Sequence, residues 1–253
     1  MNTVMIIALL LLLLYMCKEA HRNKVEKTVL SFDNFPVSFG EITIFFISDI
    51  HRRKVSEKIV NEVKGNADIV IIGGDLTERG VPFKRVVENV RRLRGIGPVY
   101  FVWGNNDYKV DYHELDALLL HEGVKILDNT AVTFESSEGE KFTLMGIDDI
   151  SKKRDRLDLA ISDARDGDFR VLVCHNPAIV NKIKRNDRVS LVLSGHTHGG
   201  QIRFFNFGLY EKGGVRKINN TTILVSNGYG TTGIPLRLGS RAETHLITIR
   251  STK

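Results

Sequence analysis

Ile69-Val70-Ile71-Ile72-Gly73-Gly74-Asp75 sets four β-branched side chains in a row, then two glycines, then a carboxylate. A short, wholly apolar run closed by glycine predicts a strand buried on both faces. Ligands in open α/β sheets gather at the carboxyl ends of strands, so the terminal Asp75 is placed to work there. The same pattern recurs on either side. Ile42-Thr43-Ile44-Phe45-Phe46-Ile47 leads into Ser48-Asp49-Ile50-His51, and Val99-Tyr100-Phe101-Val102-Trp103 leads into Gly104-Asn105-Asn106-Asp107. Further on, Val171-Leu172-Val173-Cys174 meets His175-Asn176-Pro177, and Leu191-Val192-Leu193 precedes Gly195-His196-Thr197-His198-Gly199-Gly200.

Helical spacing fills the intervals. Ile59, Val60 and Val63 recur on one face, and Pro82 opens a segment that turns Phe83, Val86, Val90 and Leu93 inward. Asp111 with Glu114 resembles a capping box ahead of Leu115, Leu118 and Leu119, with Gly123 as the stop. Further strands are expected at 132–134, 142–145, 202–204, 223–225 and 246–249. This alternation predicts an α/β fold, in one domain from 29 to 253 with no internal repeat.

The chain has 253 residues, with 36 Lys plus Arg against 30 Asp plus Glu. The modest excess suits a solubilising surface, an anionic substrate or an anionic membrane. No basic stripe is interleaved with aromatics, so a nucleic acid polymer is not an expected partner. Cys17 and Cys174 are too differently placed to form a disulfide, and Cys174 reads as a small core filler.

Residues 1–17 contain no charged side chain. A signal peptide would want a basic start and small residues before its cleavage site, and a core helix would want a polar face. The segment therefore reads as an uncleaved membrane anchor, with residues 18–28 as a juxtamembrane linker. Lys18, Arg22, Lys24 and Lys27 follow the apolar run, and the positive-inside rule then puts the domain in the cytoplasm, at the cell membrane.

Asp49, His51, Asp75, Asn105, His175, His196 and His198 stand out as metal ligands. Their oxygens and imidazole nitrogens suit hard or borderline divalent cations. A carboxylate can bridge two such ions, and a two-metal site can clamp both oxygens of a phosphoryl displacement. The ordered set Asp-x-His, Gly-Gly-Asp, Gly-Asn-x-Asp, lone His and Gly-His-x-His resembles the calcineurin-like metallophosphoesterases. Gly146-Ile147-Asp148-Asp149 and Gly233-Ile234-Pro235-Leu236-Arg237 are similar to the membrane-associated branch typified by the bacterial YkuE and YaeI phosphodiesterases. The resemblance implies two facing mixed β-sheets flanked by helices, a four-layer α/β/β/α sandwich. It implies one metal on Asp49, His51 and His198, a second on Asn105, His175 and His196, and Asp75 shared between them. Manganese is the first choice, with iron, zinc or nickel as alternatives. In-line attack on phosphorus by a water or hydroxide between the metals follows from the same resemblance.

One position departs from the family pattern. Asn106 stands where the family carries the histidine thought to protonate the leaving oxygen, and an amide cannot act as a general acid. Arg52 and Arg53 read either as a solvated helix start or as a phosphate clamp. Asp107 reads as a residue that orients its loop, and Tyr229 as either a loop residue or part of the substrate mouth. The expected activity is hydrolysis of a phosphodiester or pyrophosphate, with a lipid head group among the candidate substrates. A tethered nucleotide phosphodiesterase and a non-catalytic scaffold are the rival readings.

Overall fold

A computed structural model describes residues 3–164, 169–205 and 207–252. Two six-stranded sheets face each other. The first takes β1 (Val25–Phe32), β2 (Glu41–Ile47), β3 (Ile69–Ile72), β4 (Val99–Phe101), β5 (Lys125–Ile126) and β12 (Thr244–Ser251), in the order β1-β12-β2-β3-β4-β5. The second takes β6 (Thr130–Glu135), β7 (Lys141–Ile147), β8 (Phe169–Cys174), β9 (Val189–Ser194), β10 (Gly214–Ile218) and β11 (Thr221–Val225), in the order β10-β11-β9-β8-β7-β6.

Alternation along each strand divides the core. Phe45 and Ile47 pack toward α2 (Glu57–Val63), α3 (Phe83–Arg94) and α4 (Tyr112–His121), while Ile44 and Phe46 pack toward the other sheet. Met145, Leu172 and Val192 of the second sheet cover α5 (Leu157–Asp163) through Ala160. The result is the expected four-layer sandwich with two mixed sheets.

Register brings the functional ends level. β2, β3 and β4 run parallel, with Ile47 opposite Ile72 and Ile72 opposite Phe101. In the second sheet β7, β8, β9 and β11 also run parallel, with Ile147 opposite Cys174 and Ser194 opposite Val225. Both sheets therefore present their carboxyl ends to one rim.

One local expectation changes. The 202–204 segment is not a strand: Ile202 and Phe204 form only isolated bridges, because their partners are nearby loop residues rather than a sheet edge. Residues 18–28 take in the end of one helix and the start of a strand. The N-terminal helix α1 (Thr3–Ala20) continues to Ala20, and β1 starts at Val25, paired in parallel with β12. Charged side chains masked β1 because it alternates buried or half-buried with exposed positions near a sheet edge. The expected anchor starts at residue 1, and residues 1–2 lie outside the described residues.

Candidate metal centre

Each of the seven expected ligands follows a strand or its short extension. Asp49 and His51 come after β2, Asp75 after β3, Asn105 after β4, His175 after β8, and His196 and His198 after β9. The backbone pays for this gathering. Asp49, His51, Asp75, His196 and His198 all have positive φ, between 50° and 72°. Such strain costs about 1–3 kcal/mol per residue and persists only where the surroundings over-determine it, as at ligand clamps. The glycines make room. A Cβ on Gly104 would lie 2.2 Å from the Asp75 nitrogen, and one on Gly74 would lie 2.6 Å from the His175 ring.

Two buried groups of side chains form. Asp49, His51 and His198 make one, and Asp49, Asp75 and His175 make the other, each with ligand atoms within 4.8 Å of one another. The Nε2 atoms of His51 and His198 lie 3.2 Å apart, and His198 Nε2 lies 3.3 Å from Asp49 Oδ1. Asp75 Oδ2 reaches both sides, at 3.7 Å from His51 Nε2 and 3.2 Å from His175 Nε2. His196 and Asn105 border these groups. The His196 ring sits 5.1 Å from the His175 ring, and His196 and Asn105 line a cleft of about 280 Å³ with Asp75 and His198. A larger groove of about 910 Å³ lies at the opposite, amino ends of β9 and β11, near Ser190 and Thr221, and holds none of the seven.

Burial raises the cost of charge here, yet Asp49 and Asp75 stay below the usual carboxylate range because histidines surround them. Burial alone would lower His175, but the Asp75 and Asp49 carboxylates push it up to about 10. Burial lowers His198 to about 4 and also lowers His196, which favours the neutral imidazoles that metal ligation needs.

A supporting layer fixes these groups. His175 Nδ1 lies 2.8 Å from the Gly73 carbonyl, which fixes the proton there and leaves Nε2 to face Asp75. His51 Nδ1 lies 3.1 Å from Glu78 Oε2, and Glu78 also pairs with Arg52 Nε. Asp107 accepts the backbone N–H groups of Asp75 (2.8 Å), Thr77 (3.0 Å) and Gly104 (2.9 Å), so it shapes the loop as its sequence position suggests. Asn106 donates to both Asp75 oxygens, through its backbone N–H at 2.7 Å and its side chain at 2.6 Å. Lys109 Nζ in turn donates to Asn106 Oδ1 at 2.8 Å.

The two arginines part company. Arg52 braces Glu78, whereas Arg53 turns away from the cleft. The Arg53 guanidinium binds carbonyls of Ala20, His21, Arg22 and Tyr229 and stacks 3.6 Å over the Tyr229 ring. Tyr229 is fully buried by the same packing. Glu78 and Lys109 escaped sequence reading, and the buried Arg237 was read only as part of a family motif. Glu78 carried one local hint, its place three residues after Asp75.

A profile described as "Calcineurin-like phosphoesterase" matches residues 42–200, a span that contains all seven residues. The chain belongs to this family. Among its relatives, the uncharacterized protein YpbG of Bacillus subtilis (strain 168) is 47% identical over 210 residues, covering 82% of this chain and 81% of YpbG. An uncharacterized metallophosphoesterase of Helicobacter pylori (strain J99) is 31% identical over 241 residues, covering 88% of this chain and 62% of the relative. A transmembrane protein with metallophosphoesterase domain from Danio rerio is 31% identical over 245 residues, covering 87% of this chain and 56% of the relative. Among solved structures, a 5'-nucleotidase precursor from Thermus thermophilus aligns with a TM-score of 0.49 at 13% identity, covering 82% of this chain and 55% of that one. At that distance it carries no argument about chemistry.

Proposed function

We propose that this calcineurin-like chain is a membrane-anchored, two-metal phosphohydrolase acting on a phosphodiester or pyrophosphate, with lipid head groups as the substrate class. The observation that carries the reading is the Asp75 carboxylate reaching His51 on one side and His175 on the other. The residues present fit a pair of cations. Asn105 Oδ1 is buried without a hydrogen-bond partner, a costly state for a polar atom unless a ligand completes it. Asp49, His51 and His198 would hold one cation, Asn105, His175 and His196 the other, and Asp75 both. Manganese suits this nitrogen and oxygen donor set. Bound there, two divalent cations supply an activated water and neutralise charge that develops on the phosphoryl oxygens.

The chain's own groups do the rest. Glu78 and the Gly73 carbonyl hold two imidazoles in place. Asn106 and Lys109 border the cleft where a leaving oxygen would sit. Asn106 can donate a hydrogen bond but no proton, which favours anhydrides and aryl esters over alkyl esters. α1 runs for 18 residues, about 27 Å of helix, uncharged up to Cys17, with Met16, Glu19 and Ala20 as its buried residues. The basic flank Lys18, Arg22, Lys24 and Lys27 supports a cytoplasmic domain.

The test loads purified protein with Mn²⁺ and compares bis-p-nitrophenyl phosphate, p-nitrophenyl phosphate, nucleotides and extracted lipids. Diester or anhydride hydrolysis is expected, and Asp75→Ala is expected to lose both metals on elemental analysis. Wild-type protein that neither binds nor is activated by any divalent metal refutes the reading.

A further inference from the structure

Among the described residues outside α1, the five most exposed large apolar side chains are Phe205 at 97%, Leu209 at 83%, Phe207 at 82%, Ile234 at 69% and Phe204 at 66%. Four of them belong to one short turn. Phe204 and Phe207 close it with reciprocal backbone hydrogen bonds of 3.0 and 2.9 Å. Burying this much apolar surface elsewhere would stabilise the chain, so an exposed cluster of this kind marks a contact surface.

Its place in the fold says what covers it. At the base of the turn, the Arg203 N–H donates to the Leu238 carbonyl at 2.8 Å, and Gln201 Nε2 donates to the Ile234 carbonyl at 3.1 Å. One residue before Leu238, the Arg237 N–H donates to the Met16 carbonyl of α1 at 3.1 Å. The turn is thus tied, through two backbone hydrogen bonds, to the point where the apolar helix leaves the domain. From Val4 to Tyr15 that helix is exposed along its whole length. On the other flank of the turn, Leu209 and Tyr210 line the metal cleft. Lys18 on the helix and Lys212 beyond the turn are exposed cations suited to anionic head groups.

We infer that Phe204, Phe205, Phe207 and Leu209, with Ile234, lie in the bilayer interface beside α1 and hold the mouth of the metal cleft against the lipid surface. Aromatic side chains favour that interface, and a second contact stops the domain swinging freely on its helix. The cleft then meets phosphate esters presented by lipid head groups ahead of those free in solution. This inference rests on the membrane-anchored phosphohydrolase reading above and adds the surface and the source of substrate.

The test uses the full chain with Cys17→Ser, reconstituted in vesicles of phosphatidylethanolamine and phosphatidylglycerol. Cys174 is buried, so a Phe205→Cys substitution supplies the reactive thiol for an environment-sensitive fluorophore. A Glu138→Cys control sits in the exposed β6–β7 turn at the amino end of β7. Lipid-borne nitroxide is expected to quench the label at 205 and spare that at 138, and aqueous iodide to do the reverse. A label at 205 that iodide reaches as freely as at 138 overturns the inference and leaves the patch to a protein partner. In parallel, Phe204→Ser, Phe205→Ser and Phe207→Ser combined should slow hydrolysis of a bilayer-embedded diester about tenfold through lost interfacial contact. Turnover of soluble bis-p-nitrophenyl phosphate should stay within about twofold, since none of the three lines the cleft. Equal loss on both substrates, or no loss on either, sinks the substrate half of the inference. Wild-type protein inert on both substrates defeats the phosphohydrolase reading instead, while the quenching result still decides the membrane contact.

Discussion

Glu78 grips His51 from the side away from the carboxylates, and Arg52 steadies Glu78 in turn. Partners of this kind set the tautomer and angle of a ligating imidazole, and their loss typically costs about 10–100-fold in metal affinity. Glu78→Ala is expected to fall in that range in a chelator competition read by elemental analysis. Wild-type metal retention would show that the contact is incidental. Asn106 poses a chemical question at the same scale. General acid help is worth about 10²–10⁴-fold, most for poor leaving groups. Asn106→His should therefore raise turnover of alkyl diesters more than of aryl diesters. If wild type already cleaves both kinds at similar chemical-step rates and the substitution shifts neither, the leaving-group preference fails.

The loops after β9 and β11 must be held together for His198 to face Asp49. Arg237 does this from inside, with its buried guanidinium donating to His198 Nδ1 at 3.1 Å and to the carbonyls of Asn227 and Gly230 at 2.6 Å each. Burial pulls its pKa down to about 10, so it stays charged at neutral pH. Glu243 holds the same loop from the sheet side, accepting the Asn227 backbone N–H and side-chain N–H at 2.9 Å each. Burial opposes its ionisation, but His245 and Asn227 outweigh burial and hold its pKa below the ordinary 4.5. A depressed folded pKa adds stability above pH 4.5 that is lost as pH falls through the folded value. Glu243→Gln should accordingly be less stable than wild type at neutral pH, by about 1.5 kcal/mol, the worth of a hydrogen bond to a charged group. The gap should close on acidification, as read from melting temperatures across pH. A gap independent of pH would mean that the loss is packing rather than charge.

At the scale of the whole molecule, α1 is both exposed and firmly rooted. Arg53 caps the carbonyls at its C-terminal end, where a cation also meets the negative end of the helix dipole. Full-length protein is expected in the membrane pellet, released by detergent and retained in high salt. Release by salt alone would reduce α1 to a surface attachment. A reporter fused to the C-terminus should read cytoplasmic, and a signal from the outer side would reverse the orientation.

The residues that come out of the strands were legible in the sequence because burial on both faces demands wholly apolar runs, and polar atoms can begin only where such a run stops. Val99 to Phe101 before Asn105, and Leu191 to Leu193 before His196, follow from that rule alone. The layering came from the resemblance to the family, and the packing of Phe45 and Phe46 to opposite faces agrees with it. Partnerships were different. Glu78 is read as a brace only once β2 and β3 lie side by side, and Arg53 could be told from a phosphate clamp only once its guanidinium was seen among the carbonyls of α1. The positive φ at five of the seven ligands is likewise invisible in one dimension, because a strained backbone is stabilised by neighbours distant in sequence. The 202–204 run shows the limit from the other side. Its apolar pattern fits a strand, but no sheet edge is there to receive it, and tertiary structure leaves those apolar side chains facing outward.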